Sequence, residues 1–245
     1  MRQQPISTYS RNGTTCFCHH KAERRKTQIF NIDKKRERSR TTIGIAGCCP
    51  GCGVTHLAVA LSCFCSSKLR KKTAYLELHE RNEISSLFSN ENPFSCENTF
   101  SRGGQIALCK EKQTDASIHR RRIDYYPNVA CEQVPVLLNR GYEYLILDLG
   151  SSQEAKKSEF LRCDIKLVLG SLAPWKVSYY NNFLKEYSFG DQAGQCILYF
   201  VQSGSRKTTT LFSKEHHISV QNIPFIKNPF QIEKELFSFL QNVVS

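Results

Sequence analysis

The stretch IGIAGCCPGCGVTHLAVALS, residues 43–62, joins an apolar run to a glycine-rich turn and then to a segment whose apolar residues have helical spacing. A strand that ends in such a turn and continues as a helix predicts a loop whose backbone N–H groups, together with the helix N-terminus, surround an anion. Three cysteines lie in the same turn. A phosphate-binding loop, a redox CxxC and a metal-binding knuckle are therefore all compatible with it.

The phosphate-binding hypothesis depends on two glycines and a hydroxyl group. Gly51 and Gly53 supply a permissive backbone, and Thr55 occupies the place where the hydroxyl of a phosphate-binding loop contacts a magnesium ion. The lysine of the usual G-K-[ST] ending is missing, because Val54 stands in its place. The predicted nucleotide-binding residues are Pro50, Gly51, Cys52, Gly53, Val54, Thr55 and His56.

The redox alternative uses Cys49 and Cys52, which form a CxxC between a predicted strand and a predicted helix. A helix N-terminus stabilises a thiolate and so lowers the pKa of a thiol. This thiol or redox function ranks lower, because a thioredoxin-like unit has few strands, whereas this loop follows only the first of a long series of predicted strands.

A metal site would draw on the loop cysteines and on a second cluster near the N-terminus. Zinc sites usually need two knuckles of paired ligands, and directly adjacent ligands seldom reach one tetrahedral ion together. The candidate ligands are Cys16, Cys18, His19, His20, Cys48, Cys49 and Cys52. We expect chance clustering here, in a chain whose twelve cysteines are reduced thiols.

From residue 41 onward, short apolar runs alternate with segments of helical period, which predicts a three-layer α/β fold with a mostly parallel central sheet. Near-continuous apolar runs fit strands that are covered on both faces. Residues 84–120, rich in Ser, Asn and Glu, are expected to form a peripheral insertion or a mobile connection. The predicted strands cover residues 41–47, 73–78, 122–126, 142–150, 164–171, 195–202 and 218–224, and the predicted helices cover residues 54–69, 132–141, 158–163, 174–187, 207–215 and 230–244.

Residues 48–62, CCPGCGVTHLAVALS, resemble the deviant Walker A motif of the MinD/ParA-like P-loop ATPases, K-G-G-x-G-K-T-[TS] followed by an Ala/Leu-rich helix. The resemblance places Cys49 on the signature lysine of that family, Val54 on its P-loop lysine and Thr55 on its magnesium-binding threonine. Two charged residues of the motif are therefore replaced.

Two later segments resemble the same family in the same order along the chain. YEYLILDLGS is similar to the Walker B strand, with Asp148 in the place of the magnesium-side carboxylate. TAYLELHE is similar to the strand before the acidic switch I motif, and Glu77 and His79 stand in the places of that motif.

The resemblance implies a P-loop NTPase-like fold that binds ATP, with a magnesium ion held by Thr55 and Asp148. Because both lysines are replaced, it implies weak binding with little or no hydrolysis, and a slow but active ATPase is the alternative. It also implies a homodimer and a scaffold that positions a cellular assembly through protein partners. Within the family, the loop and the EFLRCD segment resemble TadZ, the ParA-like protein of Flp/Tad pilus assembly.

Charge divides the chain into two parts. Residues 1–40 carry eleven Lys and Arg against three acidic residues, so +8 of the formal net charge of +12 lies there. We expect a disordered basic arm that makes non-specific contacts with anionic surfaces, followed by a folded domain of residues 41–245. No apolar run is long enough to span a membrane and no secretory signal is recognisable. We expect a cytoplasmic bacterial protein, with peripheral attachment at the inner membrane face as the alternative.

Overall fold

A computed structural model describes residues 40–88, 117–151, 156–186, 197–202 and 204–245 of the chain. The predicted basic arm, apart from Arg40, lies outside the described residues, as do the cysteines and histidines of the N-terminal cluster. None of the helices in the described residues has both the length and the apolar character needed to cross a bilayer.

In the part of the chain that the structure describes, an eight-stranded sheet has the strand order β3-β4-β2-β5-β1-β6-β7-β8. All neighbouring strands are parallel except β3, which runs antiparallel to β4 at the edge. The strands are β1 (Thr41–Gly47), β2 (Thr73–Glu77), β3 (Ile118–Arg120), β4 (Ile123–Tyr126), β5 (Tyr144–Ser151), β6 (Ile165–Gly170), β7 (Ile197–Val201) and β8 (Val220–Asn222). The predicted mostly parallel sheet is therefore confirmed.

Within the described residues, seven α-helices cover the two faces of this sheet. They are α1 (Val54–Cys63), which continues as a π-helical turn over Phe64–Lys68, α2 (Glu83–Phe88), α3 (Val134–Leu138), α4 (Lys157–Arg162), α5 (Val177–Glu186), α6 (Arg206–His216) and α7 (Lys234–Val244). Buried residues of α1, α2 and α7 form one core with the sheet, and those of α3 to α6 form a second core. The prediction of three layers is confirmed as well.

The register of the central strands brings three chain segments to one edge of the sheet. β1 lies between β5 and β6, with Ile45 opposite Asp148, and β2 pairs with β5 so that Glu77 also lies opposite Asp148. In a parallel sheet the carboxyl ends of the strands meet at the same edge. The loop after β1 therefore lies beside the ends of β2 and β5.

The expectation of an insertion or mobile connection over residues 84–120 is wrong at both of its ends. Helix α2 packs Ile84 and Phe88 into the core, and β3 extends the sheet. The buried Glu77 carboxylate accepts hydrogen bonds from the N–H groups of Glu83 (2.7 Å) and Ile84 (3.4 Å). A strand residue thus fixes the start of this short helix. Residues 89–116 lie outside the described part of the chain.

The C-terminal helix docks on the core. Leu236, Leu240 and Val243 of α7 are buried, and the ring of Phe237 packs edge-on against Phe64 with 5.3 Å between the ring centroids. The helix begins at Lys234, four residues later than the spacing predicts. Residues 223–233 instead form an irregular segment, which reaches the carboxyl edge of the sheet.

Candidate functional site

A cavity of about 1090 Å³ opens at the carboxyl edge of the sheet. One wall is the loop after β1, which we call the glycine loop (residues 48–56), and the opposite wall is the segment 223–233. The ends of β2, β5 and β7 complete it. All seven residues predicted to bind nucleotide line this cavity, which is the usual place for a ligand in an open α/β sheet.

Glycines shape the loop where the sequence predicts that they should. Gly51 and Gly53 have φ angles of 70° and 90°, a left-handed region that side chains with a Cβ seldom adopt. Gly53 is the N-cap of α1, and no side chain caps the helix. The first N–H groups of a helix lack partners within it, so the start of α1 offers several donors to an anion in the cavity.

The loop packs tightly over the end of β1. A Cβ at Gly47 would overlap Cys52 Sγ and come within 2.7 Å of Val54 Cγ2. Val54 is only 6% exposed and belongs to the core shared with α1 and α7. The position of the P-loop lysine is therefore filled by an apolar side chain that contributes to the core.

A lysine that the sequence did not single out reaches the loop from another part of the chain. Lys176, which lies between β6 and α5, donates from Nζ to the Pro50 carbonyl oxygen at 3.3 Å. The cavity itself is lined by the basic residues Arg81 and Lys227. Their separation in the sequence hides this cluster, because only the fold brings residues 81, 176 and 227 near residue 50.

Two of the loop cysteines interact through their thiols. A hydrogen bond with the Cys52 thiol, assisted by Lys176 and opposed by burial, lowers the pKa of Cys49 to about 7. The same hydrogen bond and burial raise the pKa of Cys52, and burial raises that of Cys48. Both Cys49 and Cys52 are free cysteines on the cavity wall. Within the described ranges, no three His, Cys, Asp or Glu side chains are placed to hold a metal ion together.

Asp148 lies fully buried beneath the cavity wall. The Tyr75 hydroxyl donates to its Oδ2 at 2.6 Å, and the Gly150 N–H donates to its Oδ1 at 3.0 Å. His79 lines the cavity, and its Nε2 lies 3.3 Å from Asp148 Oδ1 and 3.9 Å from Glu77 Oε1. We call Tyr75, Glu77, His79 and Asp148 the acidic corner.

The acidic corner favours a proton on His79. Burial lowers the pKa of the His79 imidazole, but its contacts with Asp148 and Glu77 outweigh burial and raise the pKa above its ordinary value. Burial also raises the pKa of Glu77. When it is protonated, the imidazole places a positive charge 3.3 Å from the Asp148 carboxylate.

The predicted magnesium ligands fit the ion unequally. Magnesium prefers hydroxyl, carboxylate and phosphate oxygens. The Thr55 side chain is half-buried on the cavity wall and fits this requirement. Asp148 fits direct coordination less well, because it is fully buried, its oxygens already accept two hydrogen bonds, and His79 rather than Asp148 lines the cavity.

His56 connects the two walls. Its Nε2 donates to the carbonyl oxygen of Ile226 at 2.8 Å. The sequence predicts His56 as a nucleotide-binding residue, whereas its ring is hydrogen-bonded to the segment 223–233.

Solved structures with the same fold come from partition and cell-division ATPases. A plasmid partition protein from Borrelia burgdorferi B31 bound to AMPPNP is 15% identical, with a TM-score of 0.56 over 84% of this chain and 97% of that one. A ParA family ATPase from Chlorobium tepidum TLS is 17% identical, with a TM-score of 0.56 over 84% and 92%. The MinC:MinD cell division complex from Aquifex aeolicus includes a chain that is 14% identical, with a TM-score of 0.52 over 82% and 86%.

No protein-family model matches the chain, and no curated protein was found to be similar to it. The likeness is therefore one of structure at low sequence identity. It agrees with the predicted fold. The chain has the MinD/ParA-like P-loop ATPase fold.

Proposed function

We propose that this chain is a MinD/ParA-like scaffold protein that binds ATP weakly in the cavity, hydrolyses little or none of it, and positions a cellular assembly. The observation that supports the proposal most is the shared location of the seven loop residues. They line one cavity, with the left-handed glycines and the uncapped start of α1 among them.

The phosphates would be bound mainly by the backbone. Loop N–H groups and a helix N-terminus bind phosphate without any side-chain charge. Thr55 would contact a magnesium ion carried by the phosphates, and this ion would neutralise part of their charge. Asp148 would act through His79, whose position it fixes, rather than as a direct ligand. Arg81 and Lys227 add positive charge to the cavity.

The base would lie toward the segment 223–233. Pro224, Phe225 and Phe230 line this side of the cavity, and Phe225 is 90% exposed. An aromatic ring left in solvent at the rim of a cavity offers a face on which a nucleotide base can stack.

Weak turnover follows from the two replaced lysines. In P-loop enzymes, catalysis consists mainly of positioning and of neutralising charge on the β and γ phosphates. Val54 contributes to the core instead, and Cys49 stands in the place of the signature lysine. Removing one such donor costs about 2.7 to 4 kcal/mol at a transition state.

The positioning role rests on the shared fold. The MinC:MinD complex contains two different proteins, and one of its chains has this fold. By analogy, the proposal includes protein partners and a homodimer for this chain. A role in pilus or secretion machinery, a cytoplasmic or membrane-peripheral location and anionic contacts through residues 1–40 belong to the same proposal.

A pair of glycine substitutions tests nucleotide binding. Gly53→Ala and Gly141→Ala both place a Cβ at a left-handed residue, with φ angles of 90° and 73°, but only Gly53 lines the cavity. Each should cost about 1 to 2 kcal/mol of stability. In isothermal titration of the full chain with ATP and Mg²⁺, Gly53→Ala should weaken binding at least about tenfold, or 1.4 kcal/mol. Gly141→Ala should bind like the unsubstituted protein.

Equal ATP affinity in the two variants would contradict the proposal, and so would no binding by the unsubstituted chain. Slow turnover that is measurable above that of a protein-free control in the same samples would support the alternative of a slow but active ATPase.

A further inference from the structure

The turn at the tip of the glycine loop has a recognisable shape. Pro50 and Gly51 form a turn after β1, and Gly51 has a φ angle of 70°. Proline at the second position of a β-turn, followed by glycine with a positive φ at the third, is typical of a type II turn. Both residues are exposed and line the candidate nucleotide cavity. The peptide bond between them is therefore part of the cavity wall.

Lys176 contacts this turn from the loop after β6. Its Nζ donates to the Pro50 carbonyl oxygen at 3.3 Å, and a Cβ added to Gly51 would lie 3.9 Å from the same nitrogen. The two loops are neighbours because β6 pairs directly with β1. The Lys176 backbone is held as well, since its N–H donates to the Ala173 carbonyl oxygen at 2.8 Å. The ammonium group thus reaches the turn from a fixed position.

This hydrogen bond determines which way the Pro50–Gly51 peptide faces. In a planar trans peptide, the C=O and N–H bonds point in opposite directions. The Pro50 carbonyl points to Lys176, so the Gly51 N–H points away from it. Pro50 and Gly51 line the cavity, whereas Lys176 does not. The donor of this peptide is therefore the group that is left for a ligand in the cavity.

The opposite orientation of the peptide is also open to the turn. A type I turn differs from a type II turn by a rotation of its central peptide, and its third residue has a φ of about −90°. Glycine adopts both conformations, so Gly51 does not prevent this rotation. After it, the Pro50 carbonyl oxygen would replace the Gly51 N–H, and a carbonyl oxygen repels the oxygens of a phosphate.

We infer that Lys176 is a positioning residue for the candidate nucleotide site, because its ammonium group keeps the Pro50–Gly51 peptide oriented with the N–H toward the cavity and so raises the affinity for phosphates. The nucleotide part of this inference rests on the proposed function. Lys176 acts through the loop and does not contact the ligand. In this it differs from Arg81 and Lys227, which line the cavity.

The orientation of the peptide can be measured without nucleotide. Pro50–Gly51 is the only Pro-Gly pair in the sequence. A full chain labelled with carbonyl-¹³C proline and ¹⁵N glycine therefore gives a single carbonyl–nitrogen correlation in its NMR spectrum, from this peptide. Lys176→Met keeps an unbranched side chain without the charge. It should move the Pro50 carbonyl resonance upfield, because a carbonyl carbon is more shielded when its oxygen loses a hydrogen bond.

Two further variants are the controls for this measurement. Lys176→Arg retains an N–H donor and should shift the carbonyl resonance less than Lys176→Met does. Lys207→Met removes an exposed lysine of α6 and should leave the resonance where it is in the unsubstituted chain. Thermal unfolding of each variant shows whether it is folded.

ATP affinity is then measured on the same four proteins by isothermal titration with Mg²⁺. Lys176→Met should bind ATP about five- to tenfold more weakly than the unsubstituted chain. Lys176→Arg should recover most of this loss, and Lys207→Met should show none. The affinity should therefore follow the carbonyl shift from one variant to the next.

Three results separate the possibilities. An unchanged carbonyl resonance in Lys176→Met would overturn the inference even if ATP affinity falls, because the lysine would then act through its charge alone. A shifted resonance with unchanged ATP affinity would overturn it as well. If the unsubstituted chain binds no ATP, the proposed function fails and the nucleotide role of Lys176 fails with it, whereas the carbonyl resonance still shows whether the lysine orients the turn.

Discussion

The glycine loop and the acidic corner face the same cavity but are built in different ways. The loop takes its shape from adjacent residues, with glycines at φ 70° and 90° leading directly into α1. The acidic corner is assembled from β2, β5 and the turn after β2, through contacts such as that between Tyr75 and Asp148. A binding site made of backbone N–H groups can keep its geometry when charged side chains around it are replaced. The geometry of a site made of side chains changes whenever a neighbouring side chain is replaced.

The largest effect is expected from breaking the acidic corner. Asp148→Ala would leave the Tyr75 hydroxyl and the Gly150 N–H without their buried acceptor and would remove the carboxylate that lies 3.3 Å from His79 Nε2. Removing one partner of a buried charged pair costs about 3 to 5 kcal/mol. We expect a loss of this size in the free energy of unfolding, measured by urea denaturation with Glu80→Ala, at an exposed position, as the control. A loss near that of the control would show that Asp148 is not held as described.

The next effect concerns hydrolysis. Because no lysine stands at position 54, the ATP turnover of the unsubstituted full chain should be indistinguishable from that of the Thr55→Ala variant. This substitution should affect folding little, because Thr55 is half-buried. A phosphate-release assay measures both proteins side by side. Turnover on the order of 1 per second, as in kinases, would show that another cation such as Lys176 or Lys227 has taken the role of the lysine.

A smaller effect is expected where the two cavity walls meet. His56→Ala removes the hydrogen bond to the Ile226 carbonyl oxygen, and a hydrogen bond of this kind contributes about 1 kcal/mol. Hydrogen exchange of the segment 223–233 should become faster while the sheet is unaffected. Unchanged exchange in that segment would mean that the contact does not hold the walls together.

The smallest effect concerns the thiol of Cys49. The pKa of Cys49 is lowered to about 7, so its thiolate predominates above that pH. The rate at which iodoacetamide alkylates Cys49 should therefore rise as the pH increases through about 7. Lys176→Met removes one of the two causes of the lowering and should move the midpoint upward by a fraction of a pH unit. Lys207→Met, in the distant helix α6, is the control. A midpoint near that of free cysteine in the unsubstituted chain would contradict the described contacts.

The sequence predicted most of the fold because the fold depends on local patterns. The apolar runs of β1, β5 and β6 and the glycines after β1 carry their own signals, and each lies where it was expected. Helix α2 carries no such signal, because its start is fixed by Glu77 from a strand. Strand β3 has three residues and is defined by its pairing with β4.

For the candidate site, the sequence predicted the backbone loop but not the side-chain contacts around it. Residues 50–56 line the cavity, as the glycine pattern indicates. The sequence could not show that His79 lies 3.3 Å from Asp148, or that Lys176 reaches Pro50 across more than a hundred residues. These contacts depend on strand register and on the paths of loops, and the spacing of residues along the chain does not predict either of them.

Hydrogen–deuterium exchange on addition of ATP and Mg²⁺ tests the central claim most directly, because the proposed phosphate ligands are backbone N–H groups. The account predicts that ATP and Mg²⁺ slow exchange in peptides that contain residues 50–56 and in the segment 223–233. The Gly141→Ala variant should show the same protection as the unsubstituted chain. Gly53→Ala should lose the protection. ATP that protects neither the glycine loop nor the segment 223–233, or that protects them equally in Gly53→Ala, would contradict the account.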